Sequence, residues 1–155
     1  MAGTIQKALL ELGIELPSPA KAIANYVPYV ISENHLYISG QLPLEQGKLA
    51  YEGALGAGVR LEEGQRAARL CAINVLAQAN AALGDLDRIE QLVKMTGFIN
   101  STPEFQDHPK VMNGASDFMV EVLGGNGKHS RSAVGCSSLP MEAAVEVEAI
   151  FRVAV

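Results

Sequence analysis

The 155-residue chain contains no tryptophan, only four tyrosines and only four phenylalanines. Its formal net charge is −5, and its lysines and arginines are scattered along the sequence instead of forming a cluster. Proteins that bind nucleic acid usually combine a basic surface with aromatic side chains on which bases stack. Because the sequence shows neither feature, it argues against nucleic acid as a partner.

Cysteine and histidine are also scarce. The two cysteines, Cys71 and Cys136, lie far apart in apolar surroundings, and the three histidines are well separated from one another. A zinc site needs three or four clustered ligands of these types, so we expect no metal site and no cofactor. We expect both thiols to be buried and reduced, which suits a cytosolic protein, and the expected location is therefore the cytoplasm.

Long apolar runs are missing as well. No segment is long and apolar enough to span a bilayer, and residues 1–16 lack the apolar stretch of a signal peptide. We therefore expect no membrane association. Hydrophobic residues nevertheless make up 48% of the chain, enough for a substantial buried core. The length and composition predict one domain, residues 1–155.

Three segments have apolar residues at the 3–4 residue spacing of amphipathic helices. The first is 3–13, and the clearest is 62–83, which Gly84 can terminate. The third follows Asp107 and ends at the two glycines 124–125. These patterns predict a short N-terminal helix and two longer helices.

Strands are predicted where β-branched and aromatic residues dominate or alternate with polar ones. These segments are 26–31, 36–39, 92–100, 133–136 and 143–153. The first two should form a hairpin, and the glycine-rich stretch 44–60 should be a loop with a short extra strand. The element order after the N-terminal helix is β-β-α-β-α-β-β. This order predicts an α+β fold, a mixed sheet with two helices on one face.

The last predicted strand has two unlike faces. One face is apolar throughout, whereas the other carries Ala144, Glu146, Glu148, Ile150 and Arg152. The second face is too polar for a core and too apolar for open water, and we interpret it as a subunit interface.

Arg131 is the residue best suited to bind a small anion. It lies in the polar segment 127–132, which we predict to be a loop directly before a strand. A rigid guanidinium displayed there can hold a carboxylate through two hydrogen bonds. From position alone, a solvated loop arginine is the other interpretation.

Four further polar residues are candidates with ordinary structural alternatives. Glu146 and Glu148 project from the same face of one strand, where a carboxylate pairs with a cation, faces a wet interface or orients water. Tyr26 opens the first predicted strand, where most tyrosines serve rim packing. Asn113 lies on the third helix, usually an exposed polar position. None of these signals is specific individually.

Six short motifs in this sequence occur in a characteristic order. They are Asn25-Tyr26-Val27, YISGQLP at 37–43, VKMTGFI at 93–99, Ser130-Arg131-Ser132, Ser138-Leu139-Pro140 and VEVEAI at 145–150. Their combination resembles the Rid family, the reactive intermediate (enamine/imine) deaminases once grouped with the L-PSP ribonucleases. The resemblance extends from about residue 20 to the C-terminus, so residues 1–20 are interpreted as an N-terminal extension.

This resemblance implies a chorismate-mutase-like α+β fold and a homotrimer whose three sites lie between subunits. It also implies a small carboxylate-bearing metabolite as the ligand and no cofactor. Arg131 matches the arginine that binds the substrate carboxylate, and Glu146 matches the glutamate linked to the hydrolytic water. Four more positions match residues that line the cleft: Tyr26, Ser39, Gly40 and Asn113.

The chain also departs from the family pattern. Ala24-Asn25 replaces the usual glycine-proline before the tyrosine, and Ala133 replaces a common cysteine. The activity implied is hydrolytic deamination of 2-enamino or 2-imino acids to 2-oxo acids and ammonia. A non-catalytic trimer that binds a small metabolite, and an L-PSP-type endoribonuclease or translation inhibitor, are the alternatives.

Overall fold

The largest sheet of the protein has five strands and is mixed. The structure is a computed structural model that describes residues 3–155. The strands of this sheet, in chain order, are β1 (Tyr29–Ser32), β2 (His35–Gln41), β7 (Ile89–Asn100), β8 (Ser130–Cys136) and β9 (Val145–Val153). Between β2 and β7 lie four two-residue strands: β3 (Leu44–Glu45), β4 (Lys48–Leu49), β5 (Ala54–Leu55) and β6 (Gly58–Val59). Three short 3-10 turns occur at Leu86–Arg88, Gly124–Gly127 and Pro140–Glu142.

The strand order across the sheet is β1-β2-β9-β7-β8. The pairs β1–β2, β2–β9 and β9–β7 are antiparallel, whereas β7 and β8 are parallel. A parallel pair needs a crossover connection, and here the third helix provides it. β8 is therefore an edge strand, which within residues 3–155 pairs only with β7.

Three α-helices occur in the described part of the chain: α1 (Thr4–Glu11), α2 (Leu61–Leu83) and α3 (His108–Leu123). The predicted helices are confirmed to within a few residues. Gly84 ends α2 in the left-handed conformation, with φ of 74°, a geometry that favours glycine. The backbone N–H groups of Thr4 and Ile5 donate to the Asp87 carboxylate at 2.7 and 2.9 Å, which anchors the start of α1.

The core lies between one face of the sheet and the helices α2 and α3. The apolar face of β9 is fully buried, through Val145, Val147, Ala149, Phe151 and Val153. The predicted stripe of α2 is buried against it, through Ala68, Cys71, Ala72, Val75 and Ala79. The predicted α+β fold, with a mixed sheet and two helices on one face, is confirmed. We call the uncovered side of the sheet the open face.

Four sequence-based expectations are corrected. Arg131 lies in β8, which begins at Ser130, and not in a loop, because Ser130 pairs with Lys94 and Arg131 pairs with Met95 of β7. β1 starts at Tyr29, so Tyr26 precedes the sheet. Cys136 is half-buried, since it ends an edge strand. The stretch 44–60 forms four short strands instead of one.

No helix within residues 3–155 is both long enough and apolar enough to cross a membrane.

Candidate functional site

The Arg131 side chain is held against helix α3. Arg131 is paired in register with Met95, whose side chain is buried under the helices, so both side chains leave the sheet on the helix side. The Nη1 group of Arg131 donates to Asn113 Oδ1 at 2.9 Å and to Ser116 Oγ at 3.0 Å. Its Nη2 group donates to the carbonyl of Pro109 at 3.2 Å. The structure thus brings Arg131 and Asn113, two of the predicted site residues, into contact.

These contacts leave part of the guanidinium available. An arginine has five N–H donors, and α3 accepts hydrogen bonds from three of those on Arg131. The Nε–H and one N–H of Nη2 have no acceptor among residues 3–155. Two neighbouring donors of one guanidinium match the two oxygens of a carboxylate. The half-buried side chain is therefore fixed at one edge and has a free edge for an anion.

Sequence reasoning missed two residues of this group, Ser116 and His129. His129 Nδ1 lies 2.6 Å from the carbonyl oxygen of Gly127, so Nδ1 carries the ring proton, and Nε2 lies 2.9 Å from Ser116 Oγ. With a neutral ring, the Ser116 hydroxyl donates to Nε2 and accepts from Arg131. For Ser116, the only signal in the sequence was helical spacing, since this residue follows Asn113 by three positions and therefore lies on the same face of the helix.

A second group of predicted residues gathers around β2 and β9. Ser39 Oγ donates to the carbonyl of Val27 at 2.8 Å and ties the segment of Tyr26 to β2. The Glu146 carboxylate lies directly over Gly40, because a Cβ at Gly40 would be only 2.5 Å from Glu146 Oε1. The strand register between β2 and β9 is interrupted between Ile38 and Gln41, at this same place.

Glu146 is half-buried on the open face. Burial, together with the neighbouring Glu148 carboxylate, raises its pKa above the ordinary value. A raised pKa brings a carboxyl group closer to neutral pH, where it exchanges protons more effectively as a general base or acid.

One chain does not bring the two groups together. Arg131 extends from the helix side of β8, whereas Glu146 extends from the open face of β9. β7 separates these strands, so their backbones are about 10 Å apart. We call Arg131 with Asn113 the anchor half, and Tyr26, Ser39, Gly40 and Glu146 the carboxylate half.

The donor types in these two halves do not indicate a metal site. Within residues 3–155, no group of three or more His, Cys, Asp or Glu side chains is arranged to hold a metal ion. A cavity of about 160 Å³ opens in the carboxylate half, beside Tyr26, Ser39 and Gly40.

Comparison with known proteins gives consistent matches. The sequence model of the family described as "YjgF/chorismate_mutase-like, putative endoribonuclease" matches residues 6–151. Protein TCP17 of Trypanosoma cruzi is 47% identical over 150 residues, which cover 96% of this chain and 94% of that protein. The crystal structure of Atu1372 from Agrobacterium tumefaciens has a TM-score of 0.92 and 50% identity, covering 97% and 93% of the two chains. That of Escherichia coli TdcF with bound serine has a TM-score of 0.65 and 27% identity, covering 88% and 94%.

Proposed function

The chain belongs to the YjgF/chorismate mutase-like family, and from this premise we propose that it hydrolyses small 2-enamino or 2-imino acids to 2-oxo acids and ammonia. The observation that carries the proposal is the free edge of the Arg131 guanidinium. Asn113, Ser116 and Pro109 hold the other edge, so the two remaining donors point in a fixed direction. A fixed pair of donors suits the carboxylate that every 2-imino acid carries.

In this proposal, the carboxylate half provides the group that transfers protons, next to the bound substrate. Glu146, whose pKa is raised by burial and by Glu148, takes a proton from water as the water oxygen bonds to the carbon of the protonated imine, which gives a neutral carbinolamine. Glu146 then returns that proton to the carbinolamine nitrogen, the C–N bond breaks to release ammonia, and the hydroxyl proton passes to water, which leaves the carbonyl of the 2-oxo acid. Imines already react with water, so positioning and proton transfer are sufficient.

The active assembly in this proposal is a homotrimer. The anchor half of one copy meets the carboxylate half of the next copy, because one chain separates them by β7 and by the thickness of the sheet. The open face and the edge strand β8 are the surfaces available for that contact. The structure of TdcF contains bound serine, which supports a small amino-acid-like ligand for this chain.

The test is the rate at which imines disappear. An amino-acid oxidase generates imino acids in the presence of the purified protein, and formation of 2-oxo acid is followed with wild type, Arg131→Ala and the control Arg66→Ala. Arg66 is an exposed arginine of α2. We expect acceleration by wild type and Arg66→Ala, and its loss in Arg131→Ala.

The alternative functions give different results. A non-catalytic metabolite-binding trimer would bind carboxylates through Arg131 and accelerate no imine. An endoribonuclease would cleave RNA in a nuclease-free preparation, although the formal charge of −5 opposes phosphate binding.

A further inference from the structure

A chain of three hydrogen bonds connects Arg131 to the backbone of the turn that follows α3. The Nη1 group of Arg131 donates to Ser116 Oγ at 3.0 Å, and Ser116 Oγ lies 2.9 Å from His129 Nε2. At the other side of the ring, His129 Nδ1 lies 2.6 Å from the carbonyl oxygen of Gly127. The resemblance assigns no role to Ser116 or to His129.

With a neutral His129 ring, only one arrangement of protons satisfies every group in this chain. The Gly127 carbonyl oxygen can only accept, so the ring proton lies on Nδ1 and Nε2 is an acceptor. Ser116 donates its single O–H to Nε2, and its oxygen accepts from Arg131. Without an acceptor at Nε2 the hydroxyl would rotate, and in some orientations its proton would point toward Nη1 and displace it. His129 thus keeps Ser116 an acceptor for Arg131.

The far end of the chain of hydrogen bonds is fixed by tight packing. Gly127 is buried, and a Cβ at this position would collide with the backbone oxygen of Met119 on α3. The following carbonyl, that of Lys128, accepts a hydrogen bond from Gln91 Nε2 of β7. The backbone on the N-terminal side of His129 is therefore held against both α3 and the sheet, and it sets the position of the half-buried ring.

Ser116 is the best protected of the three acceptors that hold Arg131. Asn113 and Pro109 are exposed, whereas Ser116 is half-buried. Water competes for exposed hydrogen-bonding groups, so a bond that is shielded from water orients its donor more strictly. The contact with Ser116 therefore contributes most to the orientation of the guanidinium.

We propose that Ser116 and His129 are positioning residues for carboxylate binding at Arg131, and that His129 acts only through Ser116. This inference rests on the proposed function, because it takes the carboxylate of the substrate to be the ligand of Arg131. Ser116 holds Nη1, whereas the free donors are on Nε and Nη2. Ser116 therefore orients these donors without touching the ligand.

Calorimetry with pyruvate and 2-oxobutanoate measures carboxylate binding without any turnover. We expect Ser116→Ala and His129→Ala each to raise the dissociation constant about tenfold, the usual effect of losing one hydrogen bond. Ser116→Thr keeps the hydroxyl, and His129→Gln keeps an acceptor for it, so both should bind like wild type. Ser101→Ala is the matched control, because Ser101 Oγ lies 3.2 Å from His108 Nε2 and makes no hydrogen bond to Arg131.

The double variant Ser116→Ala/His129→Ala tests the order of the contacts. If His129 acts only through Ser116, its removal has no further effect once Ser116 is alanine, and the double variant binds about tenfold more weakly than wild type. Additive losses of about a hundredfold would overturn the inference, since His129 would then act on Arg131 or on the ligand by itself. Wild-type affinity in Ser116→Ala, or no binding of either acid to wild type, would also overturn it.

Kinetics distinguishes failure of this inference from failure of the proposed function. In imine hydrolysis, Ser116→Ala should raise KM about tenfold with kcat almost unchanged, because the carboxylate is bound equally in the substrate and in the transition state. A fall in kcat at constant KM would overturn the inference, since Ser116 would then act in the chemical step. If no imine is accelerated, the proposed function is wrong, and weaker binding of pyruvate to Ser116→Ala still supports the positioning role.

Discussion

At the scale of single residues, Arg131 shows how neighbouring residues hold a charged side chain in one orientation. An arginine on an exposed edge strand would normally sample many rotamers, which weakens any ion pair that it forms. Here Asn113, Ser116 and the Pro109 carbonyl occupy one edge of the guanidinium. The free edge is fixed before a ligand arrives, and preorganisation of this kind increases affinity.

Arg131→Lys tests whether the forked geometry matters beyond the charge. A lysine ammonium keeps the charge but provides no planar pair of donors. We expect kcat/KM for imine hydrolysis to fall about 10- to 100-fold, the loss of one charge-assisted hydrogen bond. Steady-state kinetics measures this, with Arg66→Lys as the matched control. Full activity in Arg131→Lys would show that charge alone is sufficient.

Glu146 provides a prediction about pH. Its pKa is raised in the folded protein by burial and by Glu148, so the native state binds more protons than the unfolded state. Stability should therefore fall as the pH rises from about the ordinary value of 4.5 through the raised value.

Glu146→Gln removes this ionisation and should raise the melting temperature at pH 7 while abolishing hydrolysis. The gain in melting temperature should disappear at pH 4, because the Glu146 carboxyl group of the wild type is then protonated and is uncharged like the glutamine. Thermal melts between pH 4 and 8 measure it, with the exposed Glu104→Gln as control. A lower melting temperature for Glu146→Gln at pH 7 would instead mean that a cation pairs with Glu146.

At the scale of secondary-structure elements, the contact between α2 and α3 depends on Gly114. A Cβ at Gly114 would collide with the backbone oxygen of Gln65 on α2. The helices approach this closely only because the side chain is absent. Gly114 lies on α3, which also carries Asn113 and Ser116. The contact between the helices therefore also sets the position of the anchor half.

Gly114→Ala should therefore destabilise the protein although alanine favours helices more than glycine does. We expect a loss of about 3 kcal/mol in the free energy of unfolding, as for an overpacked core. Urea denaturation measures it. Gly125→Ala is the matched control, since nothing lies within 4 Å of a Cβ there. Unchanged stability in Gly114→Ala would show that α2 and α3 can move apart freely.

At the scale of the whole molecule, the two halves of the site lie on opposite faces of one sheet. This arrangement predicts that two inactive variants can restore each other. Arg131→Ala retains the carboxylate half, and Glu146→Gln retains the anchor half. In a mixed trimer of the proposed kind, some clefts combine one intact half from each copy.

Subunits of Arg131→Ala and Glu146→Gln, unfolded together and refolded at equal concentration, should regain about a quarter of wild-type activity, the fraction of clefts with both halves intact. Activity of the refolded mixture measures this. A mixture of Arg131→Ala with Asn113→Ala should show no more than about half the activity of Asn113→Ala alone, because both changes affect the anchor half and neither subunit can supply an intact one. If the mixture of Arg131→Ala and Glu146→Gln regains no activity, Arg131 and Glu146 of the same chain must act together.

The sequence alone determined the elements of this fold and their order. Helical spacing located α2 and α3, alternation located β9, and the glycines 84 and 124 marked helix ends. These features are local, because periodicity and backbone preference act over a few residues. The resemblance also named Arg131 and Asn113, which the structure places in contact.

Only the tertiary structure decided what surrounds those residues. The pairing of the 130–132 segment with β7 turned a predicted loop into a strand and directed Arg131 onto α3. Ser116 contacts Arg131 of the anchor half, and His129 contacts Ser116. On the opposite face of the sheet, the Glu146 carboxylate lies over Gly40. These contacts connect residues far apart in sequence, and strand register and sheet face decide them. No local pattern carries that information.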